Sequence, residues 1–415
     1  MRVNRFTLPN GLRVVHSPDT VTAMVAVNVL YDVGSRDERP DHTGMAHLFE
    51  HLMFGGSANV PDFDGALSAA GGMSNAWTSS DYTNFYDVLP AVNFETALWL
   101  ESDRMMRLAF SEKALEVQRH VVIEEFKQVC LDRPYGDMEH HLRRMAYRGH
   151  PYRYPVIGKD FSHIEKVTSD DVKDWFYSHY APDNAVLSIC GNVSFDEVKR
   201  LVTKWFGGIG RRNIAPRQLP VESLPDSPRT LEVTGEVPQT AIVMAYPMAA
   251  YGAPGYFEAD TISDILANGR SSRFYRELQL GTDLFTEIDA VIQGTADPGL
   301  FMINAKLREN SPRAEAQAIE AITARLDRLS REEVAPRELK RCVNRLESDR
   351  TFSLLNYLSV AQTLAQAEMR GEDPDRFMEP YRAHTPASIR EAAATLFNPA
   401  HRMTLIYRPA CFPLL

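Results

Sequence analysis

Apolar positions along the chain change their period from place to place, and these changes outline its elements. After the turn dipeptide Asn10-Gly11, the residues Leu12, Val14 and Val15 begin a strand, and Met24 to Val33 forms a near-continuous apolar run of the kind a fully buried strand requires. Asn84 to Leu89 and Ala185 to Cys190 read as two further strands. Apolar spacings of three and four predict helices over about 91–109, 112–131, 135–147 and 194–206. In the second half, TAIVMAYPM at 240–248 is strand-like, Phe301, Ile303, Ala305 and Leu307 alternate as in a strand, and helical patterns fill 312–329 and 336–370. Helices and strands do not alternate strictly, so the pattern predicts an α+β fold with helices packed on a mainly antiparallel sheet, in preference to a doubly wound parallel one.

Residues 211–229 break this patterning, because Pro216, Pro220, Pro225 and Pro228 deny both helix and central strand. The stretch is expected to be a linker between a domain at 1–210 and a second at 230–415. Each half opens with strand-like segments followed by helical periodicity, which suggests duplication.

Composition narrows the class. Apolar residues make up 44% and charged residues 24%, as in ordinary globular proteins. The formal charge is −10, from 55 Asp and Glu against 45 Lys and Arg. No dominant basic stripe offsets it, so nucleic acid is not an expected partner. The cysteines at 130, 190, 342 and 411 form no C-x-x-C pair and read as ordinary thiols. The first residues lack an apolar core of secretory length, and no run of about 18 apolar residues occurs, so no membrane partner is expected. As written, the chain is expected in the cytoplasm, or in the periplasm if a leader has been removed.

The segment DHTGMAHLFEHLMFGGS at 41–57 concentrates the candidate chemistry. Asp41 and Thr43 predict a helix start and Gly55-Gly56 a stop. Met45, Leu48, Phe49, Leu52 and Met53 form one apolar stripe, with His47, Glu50 and His51 on the opposite side. Histidines at i and i+4 project from adjacent turns, so two imidazoles can reach one metal ion with a carboxylate beside it. The plain alternative is a solvated face that carries these residues without a metal. Catalytic zinc takes three protein ligands and an open position, so the motif predicts another ligand elsewhere. On the helix near 112–130, Glu125 lies at the rim of the apolar face while Glu124 points away from it, which makes Glu125 the better candidate.

These residues resemble the pitrilysin and mitochondrial-processing-peptidase family of zinc endopeptidases. The likeness rests on the inverted His47-x-x-Glu50-His51 motif and on Val121-Val122-Ile123-Glu124-Glu125. It extends through Gly71-Gly72, Asn75-Ala76-x-Thr78, His150-Pro151-Tyr152, Tyr180-x-Pro182-x-Asn184 and Gly269-x-Ser271-Ser272-Arg273. The resemblance implies that His47, His51 and Glu125 bind one Zn2+ per chain and that Glu50 activates the bound water, with Glu124 as the fallback ligand. It implies that the strand carrying Asn75 and Ala76 binds an extended peptide substrate. It also places Gln118 where many members carry a supporting glutamate.

Two departures fall in the second half. The resemblance places Gln279 and Thr286 where family members acting with both halves in place carry an Arg and a Tyr that hold the substrate carbonyl; Arg270 or Arg273 is a possible substitute. The chain is therefore expected to be the zinc-bearing member of a homodimer, or of a heterodimer with a similar chain that supplies the missing pair. A non-catalytic scaffold of the same fold is the alternative.

Overall fold

The computed structural model describes residues 1–410, so Cys411 lies outside the described residues. Six strands form the first sheet: β1 (Asn4–Thr7), β2 (Arg13–Pro18), β3 (Met24–Tyr31), β4 (Met73–Thr78), β5 (Thr83–Pro90) and β6 (Ala185–Gly191), in the order β1-β2-β6-β3-β5-β4. Five form the second: β7 (Arg229–Gly235), β8 (Ala241–Met248), β9 (Phe285–Gln293), β10 (Gly299–Leu307) and β11 (Met403–Pro409), in the order β7-β11-β8-β10-β9. The α+β expectation is borne out. Among the described residues only β2 with β6 and β7 with β11 run parallel, and every other pair is antiparallel.

Setting β2, β3, β4, β5 and β6 against β7, β8, β9, β10 and β11 gives the same neighbours with the same directions throughout, which is the signature of duplication. The correspondence reaches the helix that follows the second strand of each set. Met45–Leu52 and Tyr256–Ala267 each begin after a left-handed glycine, Gly44 at φ 86° and Gly255 at φ 94°. A side chain at Gly44 would be strained by this φ, would lie 3.0 Å from the Ile157 carbonyl oxygen and would push Ile164 Cδ1 aside.

Strand alternation explains the long apolar runs. On β3, Val25, Val27, Val29 and Tyr31 enter a core with Leu48, Phe49, Leu98 and Val198 from helices on one face. Ala26 and Leu30 face the opposite way, onto Val360, Ala361 and Leu364 of the helix Tyr357–Arg370. On β8, Ile242, Met244 and Tyr246 pack with Ile262, Ile322 and Ile389, while Val243 and Ala245 meet Leu142 and Ala146 of the helix Met138–Ala146. The second face of each sheet is thus covered by a helix drawn from the other half of the sequence.

The chain accordingly divides into two compact units that are discontinuous in sequence. One comprises residues 1–126, 154–219 and 349–377; the other comprises 127–153, 220–348 and 378–410 of the described residues. The continuous halves expected at 1–210 and 230–415 differ from this by the two exchanged segments. Residues 211–228 form no helix or strand, but Arg212 donates to the carbonyls of Phe176 and Tyr180, and Arg217 pairs with Asp32 and Asp37. The expected run at 336–370 is two helices, Pro336–Ser353 and Tyr357–Arg370, because the Asn356 side chain accepts from Ser359 N at 3.1 Å and starts a new helix. Cys130, Cys190 and Cys342 are buried. No described helix is long and apolar enough to cross a membrane.

Candidate metal centre

The helix Met45–Leu52 forms where the apolar stripe predicts it, and Met45, Leu48, Phe49, Leu52 and Met53 are all buried. Its start differs from the expectation. Neither Asp41 nor Thr43 caps it: Asp41 pairs with Arg39 and His42, and Thr43 Oγ1 accepts from Lys159 N at 2.8 Å. The cap is Glu38, whose carboxylate accepts from Gly44 N and Ala46 N at 2.9 Å each. Phe49 anchors the inner face against Tyr180, with ring centroids 4.3 Å apart. The helix closes at Leu52 before Gly55-Gly56, with Gly56 at φ 96°.

With the apolar stripe fixed inward, the polar face is aimed at a second helix, Glu112–Phe126, which passes into a π-helical turn at Lys127–Leu131. Glu125 is the penultimate residue before that turn. Its Oε2 lies 3.7 Å from His47 Nε2 and 3.5 Å from His51 Nε2. The three candidate ligand atoms fall within 4.8 Å of one another, the one such cluster among the described residues. Glu124 is exposed on the neighbouring face and does not join it.

The two separations from Glu125 are compatible with three ligands on one metal ion. Atoms about 2.0–2.2 Å from one tetrahedral centre sit roughly 3.3–3.6 Å apart, close to the spacing of both imidazoles from the carboxylate. The same separations are long for N–H···O bonds. Two nitrogens and one oxygen are also the donor set suited to zinc.

Electrostatics divides the four groups. Burial holds the His47 imidazole below its ordinary value, whereas the adjacent Glu125 carboxylate raises His51. Contact with His51 in turn lowers Glu125. Gln118, on the Glu125 helix, adds a smaller upward push on His51, so the amide lies beside the cluster. Burial raises Glu50, opposed chiefly by a hydrogen bond from Thr78. That bond, from Thr78 Oγ1 to Glu50 Oε2 at 2.5 Å, went unrecognised in the sequence; its signal was the threonine two residues after Ala76.

Thr78 ends β4, which among the described residues pairs only with β5 and forms the edge of its sheet. The Ser79 N to Tyr82 O bond at 2.8 Å sets the pairing parity, and alternation turns the main-chain groups of Ser74, Ala76 and Thr78 away from β5. Asn75 and Ala76 therefore lie on an edge strand whose last residue, Thr78, bonds Glu50. The Asn75 Oδ1 accepts from Ala76 N at 2.8 Å and so covers one outward amide. Trp77, on the opposite face, packs in the cluster formed with the helix Tyr357–Arg370.

Gln279 and Thr286 lie in the other unit. Gln279 Nε2 donates to Thr286 O at 3.0 Å, and Thr286 Oγ1 donates to Lys306 O at 3.2 Å. Arg273 is engaged by Glu338 through two contacts of 3.0 and 2.8 Å. Along the helix that corresponds to the motif helix, the positions three, six and seven residues after Gly255 are Glu258, Thr261 and Ile262, so the duplicated strand order carries no second histidine pair.

A family model described as "Insulinase (Peptidase family M16)" matches residues 13–160, and one described as "Peptidase M16 inactive domain" matches residues 166–346. The zinc protease PqqE of Helicobacter pylori is 29% identical over 368 residues, covering 86% of this chain and 82% of that protein. The beta subunit of the mitochondrial processing peptidase of Saccharomyces cerevisiae is 28% identical over 271 residues, covering 63% of this chain and 57% of that protein. The crystal structure of a protease from Helicobacter pylori shares the architecture at a TM-score of 0.91 and 27% identity, covering 98% of this chain and 100% of that one. With its inverted histidine motif, its duplicated sheets and matches spanning most of its length, the chain belongs to the insulinase family, peptidase family M16.

Proposed function

We propose that this chain is a zinc-dependent endopeptidase that hydrolyses peptides or unfolded polypeptides, with one zinc ion per chain held by His47, His51 and Glu125. The observation that carries the reading is the approach of Glu125 Oε2 to within 3.7 Å of both histidine Nε2 atoms, with Glu50 on the same helix face. Bound zinc would supply a polarised water near neutral pH and a Lewis acid for the scissile carbonyl. The roles of the protein groups follow from their surroundings. Glu50, raised by burial, is suited to accept a proton from the attacking water and return it to the leaving amine. Thr78 leaves Oε1 of Glu50 as the free oxygen for that transfer by engaging Oε2. An extended substrate adds to β4 through the outward groups of Ser74, Ala76 and Thr78, once the Asn75 side chain releases the Ala76 amide. Recognition through main-chain bonds favours unfolded segments over folded proteins.

The chain is further proposed to act as the zinc-bearing member of a dimer. Gln279 is engaged by the main-chain carbonyl of Thr286 and the Thr286 hydroxyl by that of Lys306, and neither side chain supplies a cation or phenol to hold a carbonyl, so a similar chain or a second copy would contribute one. The same observation favours the second reading, a scaffold subunit without hydrolytic activity. The deciding experiment measures zinc per chain and cleavage of a quenched peptide library by the purified chain alone and beside Glu50→Gln. Zinc near one per chain with Glu50-dependent cleavage supports a self-sufficient peptidase. Zinc without cleavage supports the need for a partner, and absence of zinc favours the scaffold.

A further inference from the structure

The segment Gly269 to Arg276 has no part in the proposed reaction, yet it builds a cavity. Gly269 adopts φ 86°, and Ser272 N closes the turn on Gly269 O at 3.0 Å. The turn brings Ser271, Ser272, Arg273 and Arg276 to the wall of a cavity of about 360 Å3, completed by Glu277, Arg328 and Glu338. This volume is within the usual range for small-ligand sites.

The charges around it do not cancel. Glu338 is occupied by Arg273 at 3.0 and 2.8 Å. Glu277 is occupied by Arg328 Nη2 at 2.6 Å, with Arg325 Nε at 3.4 Å from its other oxygen. Both carboxylates are thereby neutralised, and Arg276 remains as the surplus positive charge. Its side chain is exposed and, among the described residues, has neither an ion pair nor a hydrogen bond. Ser272 contributes a second unsatisfied group: the residue is 0% exposed, and its Oγ has no hydrogen-bond partner among the described residues. Ser271 adds another hydroxyl at the exposed side of the turn.

This lining disfavours a cation, which would face three guanidinium groups, and offers an apolar ligand little surface. A guanidinium fork matches the oxygens of a carboxylate or phosphate, and hydroxyl donors serve the remaining lone pairs. We propose that the cavity is a binding site for a small oxyanion, a phosphate group or a carboxylate, held by Arg276 together with the hydroxyls of Ser271 and Ser272. Glu277 and Glu338 hold Arg328 and Arg273 in place around it. The proposal is independent of the peptidase reading, since it concerns the other unit and is tested by binding alone.

The test is calorimetric titration of the full chain with inorganic phosphate at low ionic strength. A short peptide titrated as free acid and as C-terminal amide gives the second arm. The expected result is saturable binding of one phosphate with a Kd below about 1 mM, weakened about tenfold or more in Arg276→Gln. Arg276 is exposed, so this variant is expected to keep the fold, and its circular dichroism should match the wild type. Ser272→Ala should weaken binding in the same direction. Binding of the free acid but not the amide identifies a peptide carboxylate as the favoured source. Phosphate binding with no difference between the two peptides identifies a phosphate group; either outcome supports the site. Absence of saturable phosphate and free-acid binding overturns the proposal, as does binding by Arg276→Gln equal to the wild type.

Discussion

Thr78 Oγ1 donates to Glu50 Oε2 at 2.5 Å, joining the last residue of the edge strand to the carboxylate of the histidine motif. The bond restricts Glu50 to one orientation and gives the end of β4 a fixed place beside it. Thr78→Val keeps the side-chain shape and removes the donor. A bond to a charged group contributes about 1.5–3 kcal/mol, so kcat should fall roughly 10- to 100-fold with little change in KM. Thr78→Ser should recover most of the rate. Steady-state kinetics of the three proteins, each with its zinc content measured, decides the point; an unchanged kcat in Thr78→Val would remove the positioning role.

Glu50→Gln and His51→Ala should fail in different ways. On the proposed mechanism the first removes the proton acceptor while leaving His47, His51 and Glu125 in place, so metal should be retained and hydrolysis should fall by at least about 10²-fold. The second removes a ligand and should lose both metal and activity. Zinc analysis alongside the peptide assay separates these outcomes.

A third expectation concerns stability. Arg104 and Glu101 are fully enclosed, with side-chain exposures of 1% and 0%, and the guanidinium also lies over the rings of Phe63 at 4.5 Å and Phe85 at 4.3 Å. Arg104→Met would leave Glu101 buried without its cation, at a cost of about 3–5 kcal/mol. Adding Glu101→Leu should return much of that loss. Urea unfolding of the single and double variants measures the coupling, and additive losses would contradict it.

His16 makes the stability sensitive to acid. The residue is 0% exposed and stacks on Phe195, and burial lowers its pKa from 6.5 to about 4. The imidazole therefore stays neutral in the fold while the unfolded chain gains a proton below pH 6.5. Its contribution is complete above pH 6.5 and is lost as pH falls towards 4, amounting to up to about 3 kcal/mol. His16→Phe should be less acid-sensitive across this interval. Parallel stability–pH curves for wild type and variant would refute the assignment.

The motif helix was legible because Leu48, Phe49 and Leu52 leave one orientation for His47, Glu50 and His51. Glu125 was legible for the same reason, its place at the rim of an apolar stripe. The cap of the motif helix was not, since Glu38 comes from outside the helical pattern and Asp41 offers a stronger local signal. The break at Leu354 to Asn356 was hidden by helical periodicity on both sides of it. Thr78 was visible as a letter, but its bond to Glu50 depends on a strand and a helix 28 positions apart meeting in space. The discontinuous units were illegible for a related reason. Proline punctuation marks where the chain is irregular, whereas the apolar faces of Met138–Ala146 and Tyr357–Arg370 do not reveal which sheet they cover.

Those two helices bear on how the duplication endures. Val360, Ala361 and Leu364 shield Ala26, Leu30 and Val186 of the first sheet, while Leu142 and Ala146 shield Val243 and Ala245 of the second. A gene severed at the proline-rich stretch would yield two products, each missing one roof and carrying a spare one. Each would present bare aliphatic sheet to water, a surface prone to self-association. The exchange therefore makes the two repeats mutual dependants, so a repeat lacking the histidine motif cannot be discarded without exposing the one that has it.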